Sequence, residues 1–408
     1  MKPRILYITH RVPWPPDRGD RIRTWNILKF LASGADVDLA CLADEPVTSE
    51  TRRALQGVTR QLAIIPHSGV LRYVRGAVSL LKGRTVTEGL FSNAQLRLVI
   101  DDWTRHTAYD AAISSSSGVA GYALPPVARI KGHVWVDLID VDSQKWLDYA
   151  ASASFPRSLI YRTEGRRLRS LETRLAGQAD RLLVVSEAER QLFSDFCPNA
   201  PVQAVGNGVD IEYFAAAPGT AAEPHSCVFV GVMNYLPNVD AVRWFAKDVW
   251  PAIRQRFPDA RFNIVGKSPS SEVRELSRLP GIHVTGAVDD VRPWLHQANC
   301  VVVPLRIARG VQNKVLEAMA CGRPVVCSPA PLKGLGAEPG LHLLRADTSD
   351  DWVSEVSRVF EDRTLAADLG IAADAWVQLN HRWENSLHAL TELFDGSRSS
   401  IPHGLETI

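Results

Sequence analysis

The sequence predicts an α/β protein made of two doubly wound domains, in which helices cover both faces of a parallel sheet. Short apolar, strand-like runs alternate with helical stretches along most of the 408 residues. The alternation restarts at Cys227, after a segment at 215–226 that has no periodicity. The length is sufficient for two domains, each with its own core. In such sheets ligands bind beyond the carboxyl ends of the strands, so two domains facing a central cleft would share one site.

Each strand is predicted from a short, nearly continuous run of β-branched and other apolar residues. A helical stretch at 20–32 follows the first run, and helical stretches separate most of the others. The predicted strands are 4–9, 37–42, 111–114, 133–138, 182–186, 227–232, 261–265, 283–285 and 300–304. This order of strands and helices is typical of parallel sheets.

Turn-forming and low-complexity residues predict the domain boundaries. A turn-rich stretch at 206–210 precedes the Ala-, Pro- and Gly-rich segment 215–226. We therefore expect a first domain over 1–208, a second over 209–380, and a terminal helix over 381–396 that crosses back to the first domain.

Composition excludes several classes of protein. The 46 Lys and Arg residues nearly balance 45 Asp and Glu residues, so no basic domain indicates nucleic-acid binding. The six cysteines form no C-x-x-C pair, which argues against a structural zinc site or a disulfide framework. The longest apolar runs are too short for a membrane span or a signal peptide. We expect a reduced, cytoplasmic protein.

The most informative segment is 301–326, VVVPLRIARGVQNKVLEAMACGRPVV. After a strand comes a basic loop with Arg306 and Arg309, and Gly310 is predicted to open a helix. Lys314 and Glu317 then share one helix face. A helix N-terminus flanked by cations suits a phosphate or pyrophosphate, and a carboxylate further along could bind a ribose diol. Spacing alone equally allows a surface helix in which Lys314 and Glu317 only pair with each other.

This segment resembles the donor-binding region of retaining GT-B glycosyltransferases of family 4. Glu317 matches the second Glu of their E-x(7)-E motif, whereas Arg309 stands at the position of the first. The same replacement occurs in a narrower subgroup, the sugar transferases associated with exosortase (PEP-CTERM) exopolysaccharide systems. THRVPWPPDRGDRIR at 9–23, VDLIDVDSQKWLDYA at 136–150 and FVGVMNYLPNVDAVRWF at 229–245 resemble that subgroup in the expected order.

The resemblance implies a GT-B fold, with an acceptor-binding first domain and a donor-binding second domain. It assigns the electrostatic stabilisation of the leaving diphosphate to Arg306, Arg309 and Lys314, and the ribose contact to Glu317. In the first loop Gly19 would allow backbone to approach a ligand, and His10 would orient a sugar hydroxyl unless it bonds only to backbone. The expected substrate-binding residues are His10, Gly19, Arg23, Gly231, Asn234, Gly286, Val288, Gly310, Val311 and Asn313.

We expect neither a metal nor another cofactor. The sequence Asp140-Val141-Asp142 matches the D-x-D pattern of metal-dependent transferases, but the pattern is short and common. In GT-B enzymes a helix end and basic residues neutralise the diphosphate instead. The donor is expected to be a nucleotide-diphosphate sugar, and backbone contacts at Gly286 and Val288 leave open whether the base is uracil or guanine.

The expected reaction is transfer of a sugar, with retention, to a polysaccharide or lipid-linked acceptor in exopolysaccharide biosynthesis. A nucleotide-sugar 2-epimerase and a non-catalytic nucleotide-sugar-binding protein share the expected fold and remain alternatives. The stretches 70–84 and 157–174 are basic and partly apolar, which suits contact with an anionic membrane or, alternatively, a solvated helix face. No nucleic-acid partner is expected.

Overall fold

The computed structural model describes residues 2–215, 221–308 and 310–394, apart from the side chain of Ser152. The chain divides into two compact units, and the first runs to Val205 and resumes at Leu387. The second unit is Gly206–Ser386. These breaks follow Val205 and Ser386, close to the expected boundaries after 208 and 380.

The first unit contains a seven-stranded parallel sheet in the order β3-β2-β1-β4-β5-β6-β7. Its central strands are almost wholly buried, which explains their nearly continuous apolar sequence. The strands are β1 (Arg4–Thr9), β2 (Asp36–Ala43), β3 (Gln61–Pro66), β4 (Ala111–Ser115), β5 (His133–Ile139), β6 (Arg181–Val184) and β7 (Val202–Ala204).

The helices of the first unit follow these strands as crossover connections. They are α1 (Gly19–Gly34), α2 (Ser49–Gln56), α3 (Leu71–Leu81), α4 (Val86–Leu90), α5 (Ala94–His106), α6 (Ser117–Ala120), α7 (Asp142–Ser152), α8 (Arg157–Ala176) and α9 (Glu187–Phe196). Several begin with a side-chain cap: Asn93, for example, accepts hydrogen bonds from the N–H groups of Gln95 and Leu96.

The second unit contains a six-stranded parallel sheet in the order β10-β9-β8-β11-β12-β13. The strands are β8 (Ser226–Val230), β9 (Arg261–Val265), β10 (Ile282–Gly286), β11 (Cys300–Val303), β12 (Val325–Cys327) and β13 (Leu344–Arg345). Together the two sheets confirm the predicted fold class of two doubly wound α/β domains.

Helices also connect the strands of the second unit. They are α10 (Ile211–Phe214), α11 (Leu236–Trp244), α12 (Trp250–Arg256), α13 (Ser271–Glu275), α14 (Arg292–Gln297), α15 (Asn313–Ala320), α16 (Pro329–Leu332), α17 (Ser349–Glu361), α18 (Arg363–Asn380) and α19 (Trp383–Ser386). A π-helical turn at Phe245–Val249 joins α11 to α12, and a 3₁₀ turn at Leu276–Arg278 follows α13.

The segment expected to be one terminal helix is interrupted. It consists of the short α19 and a 3₁₀ helix at His388–Leu393, which belongs to the first unit. There the ring of Phe394 stacks on Phe30 of α1, with ring centroids 5.8 Å apart. Among the described residues, no helix combines the length and apolar character needed to cross a membrane.

A buried ion pair ties helix α1 to the sheet of the first unit. Arg23 donates from Nε and Nη2 to the two carboxylate oxygens of Asp137, each at 2.8 Å, and from Nη1 to the Val205 carbonyl at 2.8 Å. Both charged side chains have no solvent exposure. The pair therefore joins α1 to the end of β5 and to the residue that follows β7.

Replacement of Arg23 with Leu should destabilise the first unit, because the Asp137 carboxylate would remain buried without a counter-ion. Breaking a buried pair in this way costs about 3–5 kcal/mol. The free energy of unfolding, measured by chemical denaturation, should fall by that amount. The matched control is Arg190→Leu, which breaks the exposed pair with Glu187 on α9 and should change stability little. Equal effects of the two substitutions would contradict a structural role for the buried pair.

Candidate functional site

The candidate site lies in the second unit, at the carboxyl ends of β8 and β11. The chain proceeds from β8 towards β9 and β10 on one side, whereas β11, β12 and β13 extend on the other. The strand order therefore reverses between β8 and β11. A crevice forms at such a reversal and is the usual ligand position in open α/β sheets.

Two glycines allow the loops after β8 and β9 to approach each other closely. A Cβ atom on Gly266 would lie 1.7 Å from the Gly231 carbonyl oxygen, and Gly266 has a φ of +147°. A Cβ atom on Gly231 would lie 2.7 Å from Nδ2 of Asn238 and 3.2 Å from Nζ of Lys314. Neither position leaves room for a larger residue. Glycine at position 231 therefore allows the neighbouring backbone to approach closely.

Lys314 is held over the end of β8 by an amide and an aromatic ring. Its Nζ donates a hydrogen bond of 2.7 Å to Oδ1 of Asn238 and lies 4.4 Å from the centre of the Phe229 ring. Asn238 is buried and donates from Nδ2 to the Val232 carbonyl at 3.0 Å, which fixes its orientation. Burial lowers the pKa of Lys314 to about 7, although the nearby charge of Glu317 opposes that shift.

Glu317 lies one turn further along α15 than Lys314. Burial raises the pKa of Glu317 to about 7, against the opposing effect of the Lys314 charge. Within the described ranges 2–215, 221–308 and 310–394, no group donates a hydrogen bond to its carboxylate. A half-buried carboxylate with this unused acceptor capacity is suited to bind hydroxyl groups of a ligand.

The first residue of α15 also has an unused donor. Oδ1 of Asn313 accepts a hydrogen bond of 2.9 Å from Nδ2 of Asn207, whereas Nδ2 of Asn313 is buried without a partner in the described structure. Gln312, at the N-cap position, makes no side-chain capping bond to the helix. The N-terminus of α15 thus offers backbone N–H groups together with an amide donor.

The loop before α15 differs from the sequence prediction. Gly310 has a φ of +59°, in the left-handed region, so it cannot be the first residue of a right-handed helix. The helix instead begins at Asn313, and Lys314 lies in its first turn. Val311 is buried, and the predicted residue Arg309 lies outside the described residues.

Arg306 is engaged by a carboxylate of its own unit. Its guanidinium forms a two-point ion pair with Asp240 on α11 and lies 5.8 Å from the centre of the Trp244 ring. The hydrogen bond to Asp240 raises the pKa of Arg306 further. The side chain is half exposed, so a ligand phosphate would compete with Asp240 for this cation.

The other predicted residues of this unit differ in their accessibility. Asn234 is exposed in the turn after β8. Gly286 ends β10 with a φ of +73°, and a Cβ atom there would contact nothing within 4 Å. Val288 is partly buried in the following loop. The open space beside Gly286 is consistent with backbone contacts to a ligand at that point.

In the first unit, His10 lies at the end of β1 in a polar cluster. Its Nδ1 is 3.2 Å from the Ser115 carbonyl oxygen, and its Nε2 is 3.3 Å from Oδ2 of Asp20. Although burial of Asp20 opposes ionisation, His10 and Arg11 hold the pKa of its carboxyl group well below the usual range. The His10 ring is buried, and its contacts with the Ser115 carbonyl and the Asp20 carboxylate hold it in place. Gly19 is exposed and is the first residue of α1.

The predicted contact between Arg23 and a substrate does not fit its position. The side chain has no exposure, and three of its nitrogen atoms already donate to Asp137 and Val205. A buried carboxylate stabilises this cation inside the unit, where a phosphate could not reach it. The sequence could not distinguish this position from an arginine at a helix start that faces solvent.

The D-x-D pattern does not converge on an ion-binding arrangement. Asp142 accepts a 2.5 Å hydrogen bond from Nζ of Lys145, and burial raises the pKa of Asp140 to about 7. Among the described residues, no group of three or more His, Cys, Asp or Glu side chains could hold a metal ion.

Two residues of the site were missed by the sequence analysis. Asn238 orients Lys314, and Asn207 orients Asn313. Both partners are distant in sequence, so no local pattern links them. One signal was present in the sequence: Asn238 lies among the apolar residues that form α11, and asparagine is a weak helix former that often makes a specific hydrogen bond.

Asn238→Asp should raise the pKa of Lys314 by about 1–3 units, since it places a negative charge at hydrogen-bond distance from Nζ. The measurement is an NMR pH titration of isotope-labelled lysine, with the Lys314 signal assigned by its loss in Lys314→Arg. The matched control, Asn234→Asp, adds the same charge at an exposed position after β8 and should leave this pKa within a few tenths of a unit. Equal shifts in both variants would contradict the specific contact.

A known protein family matches the part of the chain that contains this site. Residues 224–362 match the model of the family described as glycosyl transferases group 1. Those residues include β8, Asn238, Lys314 and Glu317.

Two similar proteins extend the comparison beyond these residues. A 44.6 kDa protein in the cps region of Klebsiella pneumoniae is 20% identical over 396 residues, which cover 93% of this chain and 96% of that protein. A GDP-mannose-dependent alpha-(1-6)-phosphatidylinositol monomannoside mannosyltransferase of Mycobacterium tuberculosis is 28% identical over 253 residues, 56% of this chain and 65% of that protein.

The fold also matches solved structures along almost its whole length. Sucrose-phosphate synthase from Thermosynechococcus elongatus superimposes with a TM-score of 0.71, covering 97% of this chain and 98% of that chain at 16% identity. At this identity the likeness establishes the fold, which is that of GT-B glycosyltransferases. The chain therefore has the GT-B fold, and its residues 224–362 match the family model of group 1 glycosyl transferases.

Proposed function

We propose that the protein is a retaining glycosyltransferase that moves a sugar from a nucleotide-diphosphate sugar to a polysaccharide or lipid-linked acceptor. The observation that carries this proposal is the placement of Lys314, Glu317 and Asn313 at the reversal point of the second sheet. The group 1 domain over 224–362 supports transfer chemistry at that position.

The cationic part of the site is suited to a diphosphate leaving group. Negative charge accumulates on the diphosphate as its bond to the sugar breaks, and Lys314 together with the N–H groups of α15 would stabilise it. Burial lowers the pKa of Lys314 to about 7, so without a nearby anion its amine is only partly protonated at neutral pH. An adjacent phosphate would favour its protonated form, and Asn238 would keep Nζ in place.

The acidic part of the site is suited to the ribose. Glu317 is the fifth residue of α15 and Asn313 the first, which separates them by about 6 Å along the helix axis. A nucleoside diphosphate lying along the helix would bring its ribose hydroxyls to the Glu317 carboxylate. The ribose would then supply the hydrogen bonds that this carboxylate lacks within the protein.

The family resemblance and the relatives support the proposed reaction class and the proposed acceptor. The family 4 resemblance favours retention without a protein nucleophile. The relative from a cps region supports polysaccharide synthesis, within which the exosortase-associated subgroup is the narrower assignment. The mannosyltransferase relative is named for GDP-mannose and a phosphatidylinositol mannoside, which supports a nucleotide sugar and a lipid-linked acceptor here.

Glu317→Gln should lower the affinity for a nucleoside diphosphate about 10- to 100-fold, because it removes one or two charge-assisted hydrogen bonds. Isothermal titration with UDP and with GDP measures this change. Lys314→Ala should chiefly lower kcat, since the charge on the leaving group is greatest in the transition state. The control is Glu272→Gln. The Glu272 side chain is exposed and pairs with Arg243, so this change should leave the affinity for a nucleoside diphosphate unchanged. A folded Glu317→Gln protein that binds as tightly as wild type would refute the ribose contact.

Transfer should be independent of a divalent metal, because the proposed neutralisation of the diphosphate comes from Lys314 and a helix end. With a donor chosen by a thermal-shift screen of nucleotide sugars, activity in EDTA should stay within a few-fold of that in buffer. Complete loss that Mn²⁺ restores would contradict this mechanism and favour a role for Asp140 and Asp142. Release of a sugar inverted at C2, without transfer, would instead identify an epimerase.

A further inference from the structure

We propose that α3 and the start of α8 form a surface that docks on an anionic lipid bilayer. This docking surface consists of eight exposed large apolar side chains with the basic residues between them, all in the first unit. The apolar members are Leu71, Tyr73, Val74, Val78 and Leu81 on α3, and Phe155, Leu159 and Ile160 at the start of α8.

Helix α3 buries small residues and exposes large apolar ones, whereas an ordinary surface helix buries its large apolar residues. Its buried positions are Gly76 and Ser79, two small residues that lie against α4. A Cβ atom on Gly89 of α4 would come within 2.5 Å of the Ser79 Cβ and 2.8 Å of the Gly76 Cα. The helix therefore approaches α4 through small residues, and its large apolar residues other than the half-buried Leu80 face away from the core. A solvated helix carries polar side chains on that outer face.

The exposure of these side chains is extensive. Leu81 is 87% exposed, Leu71 67% and Val74 51%, and Phe155 near the start of α8 is 80% exposed. Single exposed apolar residues are common in soluble proteins, but a helix with five of them on its outer face indicates an interaction surface.

Two polar side chains of α8 attach this helix to the region around α3. The carboxylate of Glu164 on α8 accepts hydrogen bonds from the N–H groups of Val86 and Thr87, at the start of α4. One turn further along α8, Arg167 donates to the Leu80 carbonyl of α3 at 2.6 Å. Ile160 lies one turn before Glu164, so the exposed start of α8 adjoins the same region.

The positive charge of the docking surface favours an anionic bilayer as its partner. The stretch 67–87 contains Arg72, Arg75, Lys82 and Arg84 and no Asp or Glu, and of these four only Arg84 forms an ion pair within the described structure, with the following Glu88. The Arg72 guanidinium lies 4.9 Å from the centre of the Tyr73 ring, so a partly exposed cation lies beside an exposed aromatic ring. Basic groups beside apolar and aromatic side chains suit the interface between lipid headgroups and acyl chains. A second copy of this surface would bring like charges together.

The test is sedimentation of the full chain with lipid vesicles, without any nucleotide sugar. Vesicles of phosphatidylcholine alone are compared with vesicles containing about one-third phosphatidylglycerol. Wild type should sediment with the anionic vesicles, and binding should weaken as salt rises. Val74→Ser combined with Leu81→Ser should weaken binding about 10-fold or more. The control is Ile371→Ser with Leu379→Ser, on residues of α18 that are 70% and 74% exposed, and it should bind as wild type does.

Thermal unfolding and light scattering accompany each variant. Retained folding with lost vesicle binding in the α3 variant alone supports the proposal. Wild type that stays in the supernatant, an α3 variant that binds like wild type, or binding indifferent to lipid charge overturns it. A wild-type dimer that the α3 variant abolishes, without vesicle binding, would overturn it in favour of a second copy. Because no donor is present, these outcomes are independent of those for the proposed sugar transfer.

Discussion

The candidate site depends on the absence of side chains at two glycines. Gly231 is the first residue of the loop after the central strand β8, and Gly266 of the neighbouring loop packs against its carbonyl oxygen. A larger residue at either position would collide with backbone or with the polar groups of Asn238 and Lys314. Because these loops are tightly packed, the carboxyl ends of β8 and β9 are fixed, and the amide that holds Lys314 is fixed with them.

The electrostatics of the site follow from burial. Lys314 and Glu317 lie in one helix, and burial moves both pKa values towards about 7. Because both groups are partly neutral near pH 7, the desolvation cost of placing a Lys and a Glu side chain next to each other at this depth is limited. A bound diphosphate and ribose would provide partners for both groups, so the proposed ligand binding would be coupled to their protonation.

Charged residues with a similar appearance in the sequence have different roles in the two units. Arg23 and Arg306 both lie near the carboxyl end of a strand and were both expected to contact substrate. Arg23 is an interior cation paired with Asp137, whereas Arg306 is half exposed and paired with Asp240. The difference arises from the depth of each partner carboxylate. Only the half-exposed arginine keeps access to a ligand.

The sequence by itself determined the two parallel-sheet domains, because buried parallel strands require nearly continuous apolar runs that are visible locally. It also located the Lys314 and Glu317 pair, since helical spacing alone places them on neighbouring turns. The tertiary structure decided the contacts of Asn238 with Lys314 and of Asn207 with Asn313, which join residues 76 and 106 positions apart. It also decided the start of α15, because the left-handed backbone of Gly310 excludes the earlier helix start. The periodicity of apolar residues indicates which face of a helix or strand is buried. The partner of a polar side chain, however, depends on which distant segments the fold brings together.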